Sequence, residues 1–211
     1  MFRSTFATLC LCALTSIVHA DDFDRLDGKR WEVHLPQWAG VHMHDDELSL
    51  QCRPCLFRRE PMPPSTAYQL EWAWEKQVEE KAMADALTLL FRTSGEIDKS
   101  GQTTDGLRVT LHAGTGVVTI DNAKTGKELA KGTLPAGDVY ALPPVGWHKL
   151  RVVDMGKSLM VYVGDGQEPI TVGSYDPATF KGKLFGITNR AKEGNVRMSS
   201  YVRKVVVSVP R

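Results

Sequence analysis

The stretch Gly146-Trp147-His148-Lys149-Leu150-Arg151-Val152-Val153-Asp154-Met155-Gly156-Lys157-Ser158-Leu159-Met160-Val161-Tyr162-Val163 decides the fold. Two β-prone runs, Trp147 to Val153 and Ser158 to Gly164, flank the polar turn Asp154-Met155-Gly156-Lys157. That is the pattern of an antiparallel hairpin. Upstream, Tyr68, Leu70, Trp72 and Trp74 alternate with Gln69, Glu71, Ala73 and Glu75, the period of two expected of a half-buried strand. Leu107, Val109 and Leu111 alternate with Arg108, Thr110 and His112 in the same way. Further strands are expected over 41–44 and 48–52 around Asp45-Asp46-Glu47, over 86–92, 117–121 and 183–189, and from 196 to 209. Gly and Pro clusters separate these runs, as in Pro61-Met62-Pro63-Pro64 and Leu134-Pro135-Ala136-Gly137. Helix signals are thin. Glu75 to Leu87 holds helix formers but a weak apolar stripe, and reads as a strand end, a polar loop or helical turn, then the next strand. Regular short strands with turn signals predict an all-β, two-sheet antiparallel sandwich.

The N-terminus reads differently. Residues 1–20, MFRSTFATLCLCALTSIVHA, place Arg3 before an apolar run and end on Val18-His19-Ala20, the form of a cleaved signal peptide. The expected product is one domain, residues 21–211, in a periplasmic or secreted setting. Leu9 and Leu11 precede Cys10 and Cys12, where a lipoprotein site would need small residues. Over the 211 residues Lys and Arg total 26 and Asp and Glu 25. Losing Arg3 leaves the chain neutral, which excludes the basic stripe of an electrostatic nucleic-acid binder. No second apolar run is long enough for a helical membrane span. With 42% apolar and 24% charged residues, disorder is excluded as well. The sequence leaves the oligomeric state open and calls for no cofactor.

Cys52-Arg53-Pro54-Cys55 holds the cysteines that remain after the leader. In an oxidising compartment the expectation is a local Cys52–Cys55 disulfide that stiffens one loop. A thioredoxin-like role would need a βαβ setting, which is missing here. His42 and His44 share a strand face and could chelate a metal. Parity, however, sets them opposite Cys52, so no metal site is expected.

Several segments resemble the concanavalin A-like jelly-roll superfamily. The 146–163 hairpin is similar to its "W-x-x-(I/L)-x-(V/I), turn, (L/I)-x-(V/L)-Y-(V/L)-(N/D)-G" pair. Lys181-Gly182-Lys183-Leu184-Phe185-Gly186-Ile187 and Val202-Arg203-Lys204-Val205-Val206-Val207 are similar to its closing strands, and Asp46-Glu47-Leu48-Ser49-Leu50 to its "D-G-x-L" strand. Tyr68-Gln69-Leu70-Glu71-Trp72 resembles the "F-x-L-x-x-E-W" strand of the 3-keto-disaccharide hydrolase domain family, one residue short. That resemblance covers nearly all of residues 21–211 and implies a jelly roll acting on a carbohydrate ligand. Where that family carries G-x-E-x-Q, this chain has Gly106-Leu107-Arg108-Val109-Thr110, so the polar cluster is rewritten.

Two constellations carry the chemical expectation. Glu71 and Glu75 lie four apart on one strand face, the arrangement of an acid and a nucleophile or base in glycoside hydrolysis. Laminarinase-type glucanases place an Asp between the two; here it is Ala73. The same pair is also what the polar face of any amphipathic strand presents. Arg92, Arg108 and His112 point off the core face. If their strands share a sheet with residues 69–75, they and the two Glu line one substrate-binding surface; otherwise they make ordinary cross-strand pairs. Two readings follow: a glycan-active enzyme with catalytic Glu71 and Glu75, or a non-catalytic carbohydrate-binding or envelope interaction module using the same groove.

Overall fold

The computed structural model describes residues 15–21, 28–36, 39–51, 53–74, 85–112, 115–134, 147–190 and 199–210. Among them there is no helix. Fifteen strands run in chain order among the described residues. They are β1 (Thr15–Asp21), β2 (Trp31–His34), β3 (Gly40–His44), β4 (Glu47–Gln51), β5 (Cys55–Arg58), β6 (Thr66–Trp74), β7 (Asp85–Thr93) and β8 (Leu107–His112). The chain continues with β9 (Val117–Asn122), β10 (Glu128–Thr133), β11 (His148–Asp154), β12 (Ser158–Val163), β13 (Thr171–Ser174), β14 (Leu184–Arg190) and β15 (Ser199–Pro210). Sheet I has the order β13-β12-β11-β6-β15-β4-β3, with β1 added on β15. Sheet II has the order β10-β9-β8-β7-β14-β5-β2. All pairings are antiparallel, and the expected two-sheet jelly roll is the observed fold.

The deciding hairpin forms as expected: β11 meets β12 with Leu150 opposite Val163 and Val152 opposite Val161. Gly156 takes a positive φ of 82° in its turn, which glycine adopts without Cβ strain. The β3–β4 hairpin closes through Asp45 and Asp46, both left-handed at φ 45° and 65°, the pair of conformations a two-residue turn needs. Alternation then fills the space between the sheets. Tyr68, Leu70 and Trp72 of β6 face Leu87, Leu89 and Phe91 of β7 and Leu107, Val109 and Leu111 of β8, all buried in one cluster. Tyr68 stacks on Phe185 with centroids 4.6 Å apart and meets the edge of Phe91 at 5.1 Å.

Five strands escape the sequence reading. β5 is buried along its whole length, so it lacks alternation. β2 and β13 are four-residue strands at sheet edges, and β10 is a polar edge. β1 falls on the segment assigned to the leader and pairs with Val205–Pro210 of β15. The stretch 75–84 and the residues Cys52 and Glu75 lie outside the described residues.

Candidate functional site

The two sheets separate the residues that the sequence grouped. Glu71 sits on β6 in sheet I, whereas Arg92, Arg108 and His112 belong to β7 and β8 in sheet II. Parity put Glu71, Arg108 and His112 on outward faces, and that holds, but the faces are on opposite sides of the sandwich. The single surface expected from them is not formed.

Arg92 also departs from parity. Its backbone is left-handed, with φ at 55°, which breaks the alternation of β7 and turns the side chain inward. Its Nε donates to Oδ2 of Asp154 on β11 at 2.6 Å, tying sheet II to sheet I. Tyr175 donates its hydroxyl to the other Asp154 oxygen at 2.5 Å, and the Gly156 amide donates to it at 2.8 Å. Gly182 passes so close that a Cβ there would overlap the backbone of Arg92 and Thr93. Arg92 is an inter-sheet tie, not an open binding group.

The middle of the outer face of sheet II is roofed. The segment 94–106 folds over it, with Ile97 packed on Cys55, Phe57 and Leu90. Arg108 lies beneath, its Nε donating to Asp121 at 2.6 Å, and a small void of about 30 Å³ lies beside it. His112 Nε2 bonds Thr119 Oγ1 at 3.0 Å. Cys55 is free, its Sγ donating to the Gly101 carbonyl at 3.2 Å under the same roof, while Cys52, its expected disulfide partner, lies outside the described residues. Burial pushes its thiol pKa up, and Asp98 adds to this against a hydrogen bond with Thr188.

The outer face of sheet I carries a different arrangement. Glu71 receives Arg203 Nε at 2.7 Å and Lys204 Nζ at 3.2 Å. Two neighbours in sequence reach one carboxylate because the β15 register slips between Arg203 and Val206 and Lys204 is left-handed at φ 52°. Arg203 further reaches Glu47 at 3.7 Å and lies 4.0 Å over the Trp147 ring. Partial burial pushes the Glu71 pKa up, but the hydrogen bonds and charges of Arg203 and Lys204 outweigh it, and the carboxyl is held below its ordinary value. One strand over, Lys149 lies opposite Glu71 and Arg151 opposite Gln69. Lys149 Nζ donates to Asp165 at 2.8 Å. Gln69, Lys149 and Arg151 line a recess of about 220 Å³ with the turn from Gly164 to Gln167. The sequence reading passed over Gln69, Lys149, Arg151 and Arg203 as a site. Their signal was parity: each falls on the polar side of a strand whose other side is core.

Three or more His, Cys, Asp or Glu side chains do not gather into a metal-ligand group among the described residues. No described helix is long and apolar enough to cross a membrane.

No family model matches the chain, and no curated protein matches its sequence. Solved structures do. Lectin I-B4 from Griffonia simplicifolia superposes with a TM-score of 0.68 at 11% identity, covering 88% of this chain and 95% of the lectin. Carbohydrate-binding module CBM66 from Bacillus subtilis gives 0.60 at 12% identity, covering 84% and 94%. A beta-1,3-glucanase from Mycobacterium marinum gives 0.57 at 14% identity, covering 91% and 98%. The chain has the lectin-like jelly-roll fold that these binders and the glucanase share.

Proposed function

We propose that this chain is an exported carbohydrate-binding protein that takes a saccharide on the outer face of sheet I, around Glu71. The observation that carries this reading is the clasp of Arg203 and Lys204 on Glu71, set beside a polar recess on the outer face that the 94–106 segment does not roof. An ionised carboxylate fixed between cations accepts hydrogen bonds from sugar hydroxyls. It is poorly suited to donating the proton that a glycosidic oxygen needs, because a general acid requires a raised pKa. The likeness to a lectin and a carbohydrate-binding module supports the same reading by fold analogy. Hydrolysis of a 3-keto-disaccharide, which the sequence resemblance implies, would need Glu71 as half of a pair with Glu75, and its loss of ready protonation weighs against it.

Native mass spectrometry of the chain with a panel of oligosaccharides and 3-keto-glycosides separates the two. Intact adducts that weaken in Glu71→Gln, with no new masses, are the expected result. Product masses that vanish in Glu71→Gln would overturn the binding reading in favour of the hydrolase. Absence of both adduct and product would overturn the glycan reading. For export, N-terminal sequencing of the secreted chain is expected to start at Asp21; a chain retaining residues 1–20 would contradict the leader assignment.

A further inference from the structure

We infer that the recess beside Glu71 selects a carboxylate-bearing saccharide, with Arg151 as the residue that holds the acid group. This rests on the proposed saccharide site and names the chemistry it prefers. Five described arginines sit against a protein carboxylate: Arg58 on Glu60, Arg59 on Glu32, Arg92 on Asp154, Arg108 on Asp121 and Arg203 on Glu71. Arg151 makes no ion pair among the described residues. Its guanidinium carbon lies over the Tyr162 ring, 4.1 Å from the centroid. Tyr162 is its register partner on β12, so the stack is built by adjacent strands rather than by a mobile loop.

The geometry has a chemical consequence. A ring under one face of a guanidinium holds the plane and leaves the in-plane N–H groups available. Those groups form a fork that matches the two oxygens of a carboxylate. Gln69 stands opposite Arg151 on the other neighbouring strand and offers an amide to the same space. Lys149 adds a second positive charge, and its partner Asp165 is an exposed rim residue with 86% of its side chain open to solvent. An incoming carboxylate therefore meets two cations, one of them held only by a rim contact that water already competes for. The recess, at about 220 Å³, is below the roughly 300 Å³ of small-molecule clefts, which fits a single acidic sugar unit seated by its acid group. A neutral sugar offers the Arg151 fork only single hydroxyl oxygens, without the bidentate, charge-assisted pairing of a carboxylate.

The test is isothermal titration with pairs of oligosaccharides that differ only at the acid. Glucuronate-, galacturonate- and mannuronate-containing trisaccharides are each compared with the carboxyl-reduced neutral form. At least one acid is expected to bind tenfold or more tightly than its neutral partner. That preference is expected to disappear in Arg151→Gln and to be partly kept in Arg151→Lys, which retains charge but not the fork. The preference is also expected to shrink with added salt. Thermal melting of both variants should match the parent, since Arg151 lies on the outer face. Equal affinity for acid and neutral forms would overturn the acid preference while leaving the saccharide site standing. A preference that survives Arg151→Gln would overturn the role of Arg151. Binding of no member of any pair would overturn the saccharide reading and this inference with it.

Discussion

Replacing Arg92 with Met should destabilise the protein without touching ligand binding. The Asp154 side chain is 3% exposed and that of Arg92 13%, so the pair is cut off from water. Met keeps most of the aliphatic stem and removes the charge. Asp154 Oδ2 then loses its 2.6 Å partner, while Oδ1 keeps the Tyr175 hydroxyl and the Gly156 amide. Breaking a buried pair by removing one member costs about 3–5 kcal/mol; the two surviving bonds place this case near the lower figure, about 3 kcal/mol. In a chain of this size that is a fall in Tm of roughly 6–12 °C. Removing both partners at once, in Arg92→Met with Asp154→Leu, should recover part of the loss, because no charge is then stranded. Thermal and urea denaturation of the parent, both single variants and the double variant make the cycle. A parent-like Tm in Arg92→Met, or lost saccharide binding with the fold intact, would refute the inter-sheet tie and return Arg92 to the substrate-binding role.

Three other outcomes follow from the structure. Glu71 is expected to titrate below its ordinary 4.5, so the stability it contributes is complete above that value and falls as the pH drops through the depressed pKa. Carboxyl NMR titration measures this, and in Glu71→Gln that part of the acid loss should vanish. Gly182→Ala drives a methyl into the Arg92–Thr93 backbone and should cost about 2 kcal/mol in denaturant unfolding, an overpacking effect that a neutral substitution would disprove. Cys55 is 2% exposed with a raised thiol pKa, so iodoacetamide at pH 8 followed by peptide mapping should label it only after unfolding. Rapid native labelling would show that the 94–106 roof opens.

Much of the architecture was legible because alternation is a strong local signal. Tyr68-Leu70-Trp72 and Leu107-Val109-Leu111 bury the side chains that their period of two selects. Parity gives the face of a strand, though, and says nothing of which sheet the strand joins. Glu71 and Arg108 therefore both looked outward, and their separation across the sandwich was settled only by β6 pairing with β11 and β7 with β8. Arg92 was misread for a different reason: its left-handed backbone at φ 55° is imposed by packing, and Arg has no intrinsic bias towards it. The Cys52-Arg53-Pro54-Cys55 spacing could not show that the start of β5 sets Cys55 under a distant loop at Gly101. The recess depends on Gln69 and Arg151, some eighty residues apart, meeting in register, and local patterning cannot supply that pairing.

The most direct test of the saccharide site is amide chemical-shift mapping of the labelled protein during titration with a bound oligosaccharide. Shifts clustered on Gln69, Glu71, Lys149, Arg151 and the turn from Gly164 to Gln167 are the result the account predicts. A cluster on the opposite outer face, at Arg108, Thr110 and His112, would contradict it.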